Sequence, residues 1–179
     1  MMKVIALLAL LVAFMGLTGE RFFTPVTKHD TGMAVAMASE MAGDLVYGTQ
    51  VCGTSGACSA GEVTVNPPGF SINQALFSQV TDGDGNIAAW WNNPGGRYAD
   101  ITDARLVAAL GSQAAFDELE PLGQTFVFGY WDGKGQITVE GGGGRAFEPP
   151  ATLVAVIGAA PHPPAAGSAM IVYSGPAVS

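Results

Sequence analysis

Residues 31–49 read TGMAVAMASEMAGDLVYGT, and this stretch decides the fold of the chain. A stripe of apolar residues recurs in it with the spacing of one helix face: Ala34, Val35, Ala38, Met41, Ala42, Leu45 and Val46. Such a stripe is typical of an amphipathic helix packed on a core. Glu40 and Asp44 fall opposite it, as expected for a solvated face. The sequence therefore predicts a helix over residues 31–49.

The side of this helix away from the stripe also carries apolar residues, which a solvated face does not need: Met33, Ala36, Met37 and Tyr47. Methionine suits adaptable contact surfaces, so one interpretation is a face that meets another subunit. The other interpretation is scattered apolar surface residues, which are common in folded proteins. The pattern by itself favours neither.

An apolar run precedes the helix, beginning at Val4 and ending at Leu17, with Lys3 before it. Residues 1–19 are predicted to be either a signal peptide or a membrane anchor. The residues before Glu20 lack the small-x-small pattern of a cleavage site. As a helix the run spans about 21–24 Å, short of a bilayer core of about 30 Å. In both cases the single lysine before the run predicts the rest of the chain outside the cytoplasm.

Residues 20–50 are interrupted near Pro25, which indicates either a kink in one long helix or a linker before a separate helix. In the second case Asp30 is the N-cap. Residues 51–179 are predicted to form an exported, strand-rich head. The expected location is the bacterial inner membrane with this head in the periplasm, or the periplasm alone if the leader is removed.

Charge and cysteine content narrow the class of protein. The formal net charge is −8 and the sequence has no basic cluster, which argues against nucleic acid as a partner. Cys52 and Cys58 are the only cysteines. In an exported chain such a pair indicates a disulfide, and two cysteines without a second ligand pair make a poor zinc site.

The head reads as strands with short helical pieces. Strands are predicted over residues 62–66, 87–91 and 169–173, and a hairpin joins 125–131 to 136–139 across Asp-Gly. Thr102 or Asp103 is predicted to cap a helix over 104–110 that resumes at 114–119. Residues 70–80 and 151–160 fit either helix or strand. The predicted class is α+β: a long N-terminal helix followed by a small antiparallel sheet of three to five strands.

Catalytic and metal-binding patterns are weak in this sequence. His29 and His162 have no second ligand at metal spacing, so both are interpreted as surface residues. Asp82, Asp84 and Asn86 occupy positions 1, 3 and 5 of a calcium-loop pattern, but position 12 is an asparagine, and a plain turn explains them better. We therefore expect no enzyme, no metal and no cofactor.

Two further hypotheses remain open. A secreted or periplasmic ligand-binding module, for example for a glycan, would need an exposed platform of four aromatic residues, which are otherwise core or sheet-face residues. They are Trp90, Trp91, Tyr98 and Trp131. A hydrolase would need two facing carboxylates, drawn from Asp82, Asp84, Asp100 and Asp103.

A family resemblance rests on the segment MASEMAGDLVY at residues 37–47 and on the closing GSAMIV at 167–172, which follows a proline-rich stretch. With the short apolar leader, these segments resemble the PilM family of conjugative type IVb thin-pilus systems. The layout is also similar to that of pilins, although pilins place the processing glycine before the apolar run, and here Gly19 and Glu20 follow it. The resemblance implies an accessory subunit of pilus assembly or conjugation. Its partners would be other subunits of the machine and the inner membrane.

Overall fold

A computed structural model of the chain describes residues 32–53, 56–63, 76–123, 125–140 and 143–175. The predicted leader, the break at Pro25 and the Asp30 cap lie outside these residues. So do residues 64–75, which include most of the segment that fitted either helix or strand.

The predicted N-terminal helix is confirmed as α1, residues 32–52. It extends beyond the predicted end at residue 49 and continues to Cys52. A Cβ at position 48 would collide with the side chain of Gln79. The amide of Gln79 donates a hydrogen bond to the backbone oxygen of Asp44 at 3.2 Å. Gly48 therefore serves a close contact inside the helix and does not terminate it.

One antiparallel sheet of seven strands follows α1 among the described residues. The strands are β1 (Gly61–Glu62), β2 (Phe77–Thr81), β3 (Ile87–Trp91), β4 (Phe126–Trp131), β5 (Ile137–Val139), β6 (Ala146–Phe147) and β7 (Ala169–Tyr173). Their order in space is β1-β2-β3-β7-β4-β5-β6, so the last strand lies in the middle. The sheet has more strands than the predicted three to five, partly because β6 is only two residues long and is too short to show an alternating pattern.

Helices cover both faces of the sheet. Besides α1, the α-helices among the described residues are α2 (Asp103–Leu110), α3 (Gln113–Leu119) and α4 (Ala151–Ala159). The segment 151–160, which fitted either helix or strand, is therefore helical. Leu45 of α1, Leu106 of α2 and Leu119 of α3 belong to the core on one face. Leu153 and Ile157 of α4 belong to the core on the other face. The α+β class is confirmed.

Local signals explain where α2 and α3 begin. The Thr102 hydroxyl accepts a hydrogen bond from the backbone N–H of Arg105, as predicted for an N-cap. The Ser112 hydroxyl does the same for Ala115 at the start of α3. Both helices therefore begin at a hydroxyl cap.

The predicted disulfide joins Cys52 to Cys58, with 5.1 Å between their Cα atoms. It closes a short loop after α1, in which the backbone N–H of Gly56 donates to the oxygen of Gly83 at 2.8 Å. The end of α1 is thereby held against the turn between β2 and β3. In the part of the chain that the structure describes, no helix combines the length and the apolar character needed to cross a membrane.

Candidate functional site

A groove of about 590 Å³ runs along the outer side of α1. Nine positions of α1 between Ala36 and Gln50 line it, and Glu118 of α3 closes one side. Gly43 lies near the middle, where a Cβ would meet only the Glu118 carboxylate, at 3.7 Å. The missing side chain at Gly43 leaves the middle of the groove open.

Apolar and acidic side chains line the groove together. Met37, Val46 and Tyr47 supply apolar and aromatic surface, and Glu40, Asp44 and Glu118 supply three carboxyl groups. No lysine, arginine or histidine stands among the described residues that line it. The groove therefore presents apolar surface and carboxyl groups together, with no basic side chain among its described lining residues.

Asp44 is the unusual member of this set. It was predicted to lie on a solvated face, but its side chain is only 6% exposed. The atom Oδ2 is buried and has no hydrogen-bond partner among the described residues. Burial, and then the charge of Glu40, raise the pKa of Asp44 to about 7. Burial also raises the pKa of Glu40. The helical pattern alone gave no sign of this burial, and Glu118 of α3 lines the same groove as Asp44.

The predicted interaction residues on α1 divide between the groove and the core edge. Ala36, Met37 and Tyr47 line the groove. Met33 is not among its lining residues and packs, half-buried, against the first core. Sequence reasoning missed the roles of Asp44 and Glu118. The available signal was the position of Asp44, directly before Leu45 and three residues after Met41, at the border of the apolar stripe.

The four aromatics proposed as a ligand platform do not form one. Trp90 and Trp131 are buried in the core beneath α4, whereas Trp91 is buried in the core beneath α1. Adjacent residues of a strand point to opposite faces, so Trp90 and Trp91 cannot present one surface. Tyr98 is half-buried against the edge of Trp91, with ring centroids 6.2 Å apart. The predicted exposed platform is therefore wrong: three of these aromatics are core residues, and Tyr98 packs against the core.

A second cavity, of about 690 Å³, lies where β3 ends against the loop after α4. Trp90, Trp91, Asp103 and His162 are among its lining residues. The indole N–H of Trp90 donates to the backbone oxygen of His162 at 3.0 Å. One oxygen of Asp103 accepts from the backbone N–H of Ala169 at 2.6 Å. These bonds hold the loop and β7 in place.

Asp82 is a turn residue, as predicted in preference to a calcium loop. Its Oδ1 accepts from the backbone N–H groups of Asp84 and Asn86, and its Oδ2 accepts from Thr152 of α4 at 2.8 Å. Groups of three or more histidine, cysteine, aspartate or glutamate side chains placed to hold a metal ion are absent from the described residues.

The chain matches no protein-family model, no curated protein and no solved structure.

Proposed function

We propose that this chain is a non-catalytic accessory subunit of an envelope assembly machine, of the type IV pilus or conjugation kind, and that it docks other subunits on the α1 groove. The groove is the observation that carries the proposal. A mixed apolar and acidic groove several turns long has the form of a protein-docking surface.

Two further features support this proposal. The Cys52–Cys58 disulfide fits a head that folds in an oxidising compartment. The segment that resembles the PilM family, residues 37–47, is also the segment that supplies most of the groove. In this proposal the apolar run from Val4 to Leu17 tethers the chain at the inner membrane and the head lies in the periplasm.

Photo-crosslinking in the cells that naturally make the protein tests the docking surface. A photoreactive phenylalanine analogue replaces Met37 or Tyr47 in the groove. Matched replacements are made at Thr138, exposed on β5, and at Phe116, an exposed aromatic residue of α3 outside the groove. We expect adducts at Met37 and Tyr47 that contain a subunit of a pilus or conjugation machine, and none at Thr138.

Adducts that form equally at all four positions would contradict a specific groove. Adducts confined to Phe116 would place docking on α3 instead. If no position yields an adduct with another envelope protein, the chain is not an assembly subunit of this kind.

A further inference from the structure

The shape of the groove indicates what kind of segment fills it. Its lining includes positions 36, 40, 43, 47 and 50, which follow one another at helical spacing along a single side of α1. The fourteen steps of helix from Ala36 to Gln50 correspond to about 21 Å. A groove of that length beside a helix matches a second helix laid alongside, which is one of the recurring modes of peptide recognition.

The charge in the groove indicates what the segment carries. Three carboxyl groups face it: Glu40 and Asp44 from α1 and Glu118 from α3. Asp44 is more than nine-tenths buried, and its Oδ2 has no partner in the described structure. A buried acceptor without a donor is costly, and an incoming cation would supply that donor once the Asp44 side chain turns toward the groove. An acidic segment would meet three like charges.

From these observations we propose that the α1 groove binds a helical segment of a partner subunit, which places one lysine or arginine side chain against Asp44 and its apolar neighbours against Met37, Val46 and Tyr47. This inference rests on the proposed docking function. It adds the chemistry of the partner: one basic residue within an apolar helix face.

Proton binding at Asp44 should control this contact. The pKa of Asp44 is about 7 because burial and then Glu40 disfavour its charged form. The other groups facing the groove are Glu118 and Tyr47, and Gln79 of β2 contacts only the backbone oxygen of Asp44. With a pKa near 7, the ionised fraction rises from about one tenth at pH 6 to about nine tenths at pH 8. A cationic segment should therefore bind about tenfold more tightly at pH 8.

The test uses the full chain in detergent and the partner identified by crosslinking from Met37 or Tyr47. Affinity is measured at pH 6 and pH 8 for the unaltered chain, for Asp44→Asn and for the control Asp117→Asn, an exposed residue of α3 outside the groove. We expect a tenfold gain at pH 8 for the unaltered chain and the control. Asp44→Asn should abolish the gain and bind about tenfold more weakly at pH 8.

A charge exchange provides a second readout that does not depend on a buried substitution. The partner's basic residue nearest the crosslink is changed to glutamate, which should weaken binding, and Glu118→Lys in this chain should restore it.

A crosslinked segment with no lysine or arginine near the contact, or equal affinity of Asp44→Asn and the unaltered chain for the partner at pH 8, overturns the inference and leaves the docking function intact. Adducts that join Met37 or Tyr47 to residues 20–31 of this chain would mean that the groove binds a segment of its own chain, and would overturn the proposal of a partner's helix. Absence of any partner overturns the docking function as well.

Discussion

At the scale of single residues, Asp44 combines burial with an acidic side chain. Its folded-state pKa of about 7 lies above the ordinary aspartate value of 3.8. The native state therefore holds a proton that the unfolded state releases between about pH 4 and pH 7. Across this window the contribution of Asp44 to stability decreases as pH rises. Above pH 7 the folded protein carries a charge that its surroundings disfavour.

Replacing Asp44 with asparagine removes this charge while keeping the size of the side chain. We expect Asp44→Asn to raise the free energy of unfolding at pH 8 by about 1–2 kcal/mol, a value reduced from the full shift because water reaches the groove. At pH 4 the variant and the unaltered chain should differ little. Urea unfolding at both pH values measures this, with Asp117→Asn as the exposed control. A loss of stability at pH 8 would mean that the ionised carboxylate is stabilised in the folded state.

At the scale of secondary-structure elements, two hairpins share one turn design. Residues 82–87 read DGDGNI and residues 132–137 read DGKGQI. In each turn the first aspartate accepts backbone N–H bonds, from Asp84 and Asn86 in one case and from Lys134, Gly135 and Gln136 in the other. Both glycines of each turn have positive φ, which side chains rarely adopt. The repeated motif therefore encodes the same tight turn twice.

The two aspartates differ in burial, which gives a matched comparison. Asp82 is buried and also accepts bonds from the Asn86 and Thr152 side chains, whereas among the described residues the carboxylate of Asp132 accepts bonds only from backbone N–H groups. We expect Asp82→Ala to lower the free energy of unfolding by about 1–3 kcal/mol, because buried donors lose their acceptor. Asp132→Ala should lower the free energy of unfolding by a smaller amount. Chemical denaturation of both variants measures the difference.

A coupled pair shows whether the bond to α4 causes the difference. Thr152→Val should lower the free energy of unfolding less in the Asp82→Ala background than in the unaltered chain, because the bond between the two side chains is already lost. Burial raises the pKa of Asp82, but the bonds from Asn86 and Thr152 outweigh it and lower the pKa overall. The stabilisation is therefore present above about pH 4 and is lost as pH falls below that value. Equal costs for Asp82→Ala and Asp132→Ala at neutral pH would mean that α4 adds nothing.

At the scale of the whole molecule, the disulfide connects the helical layer to the sheet. Cys52 is the last residue of α1, and the loop to Cys58 lies against the turn between β2 and β3. Closing a loop of this length restricts the unfolded chain by an amount worth about 2 kcal/mol. Stability of the head should therefore depend on an oxidising environment.

Thermal unfolding with and without a reducing agent measures this dependence. We expect reduction to lower the melting temperature of the unaltered chain and to leave a Cys52→Ala, Cys58→Ala double variant unchanged. The reduced unaltered chain and the double variant should both keep the circular dichroism of the folded sheet, because the two hydrophobic cores do not require the disulfide. An unchanged melting temperature on reduction would show that the loop is held by its backbone contacts alone.

The local sequence was sufficient for several elements of this fold. The stripe through Leu45 predicted α1, the Asp132-Gly133 turn predicted the hairpin of β4 and β5, and a cap at Thr102 or Asp103 predicted the start of α2. The pair Cys52 and Cys58, in a chain expected to be exported, predicted the disulfide. Each of these signals acts over a few residues, so the backbone preference is decided locally.

The candidate site was decided by tertiary structure. Asp44 of α1 and Glu118 of α3 line the same groove although about seventy residues separate them in the chain. Trp90 and Trp91 are core residues because helices cover both faces of the sheet, and β7 lies at its centre because it pairs with β3 and β4. Periodicity shows which residues share a side of an element. Which element covers that side depends on contacts distant in sequence, and these determine the groove and its charge.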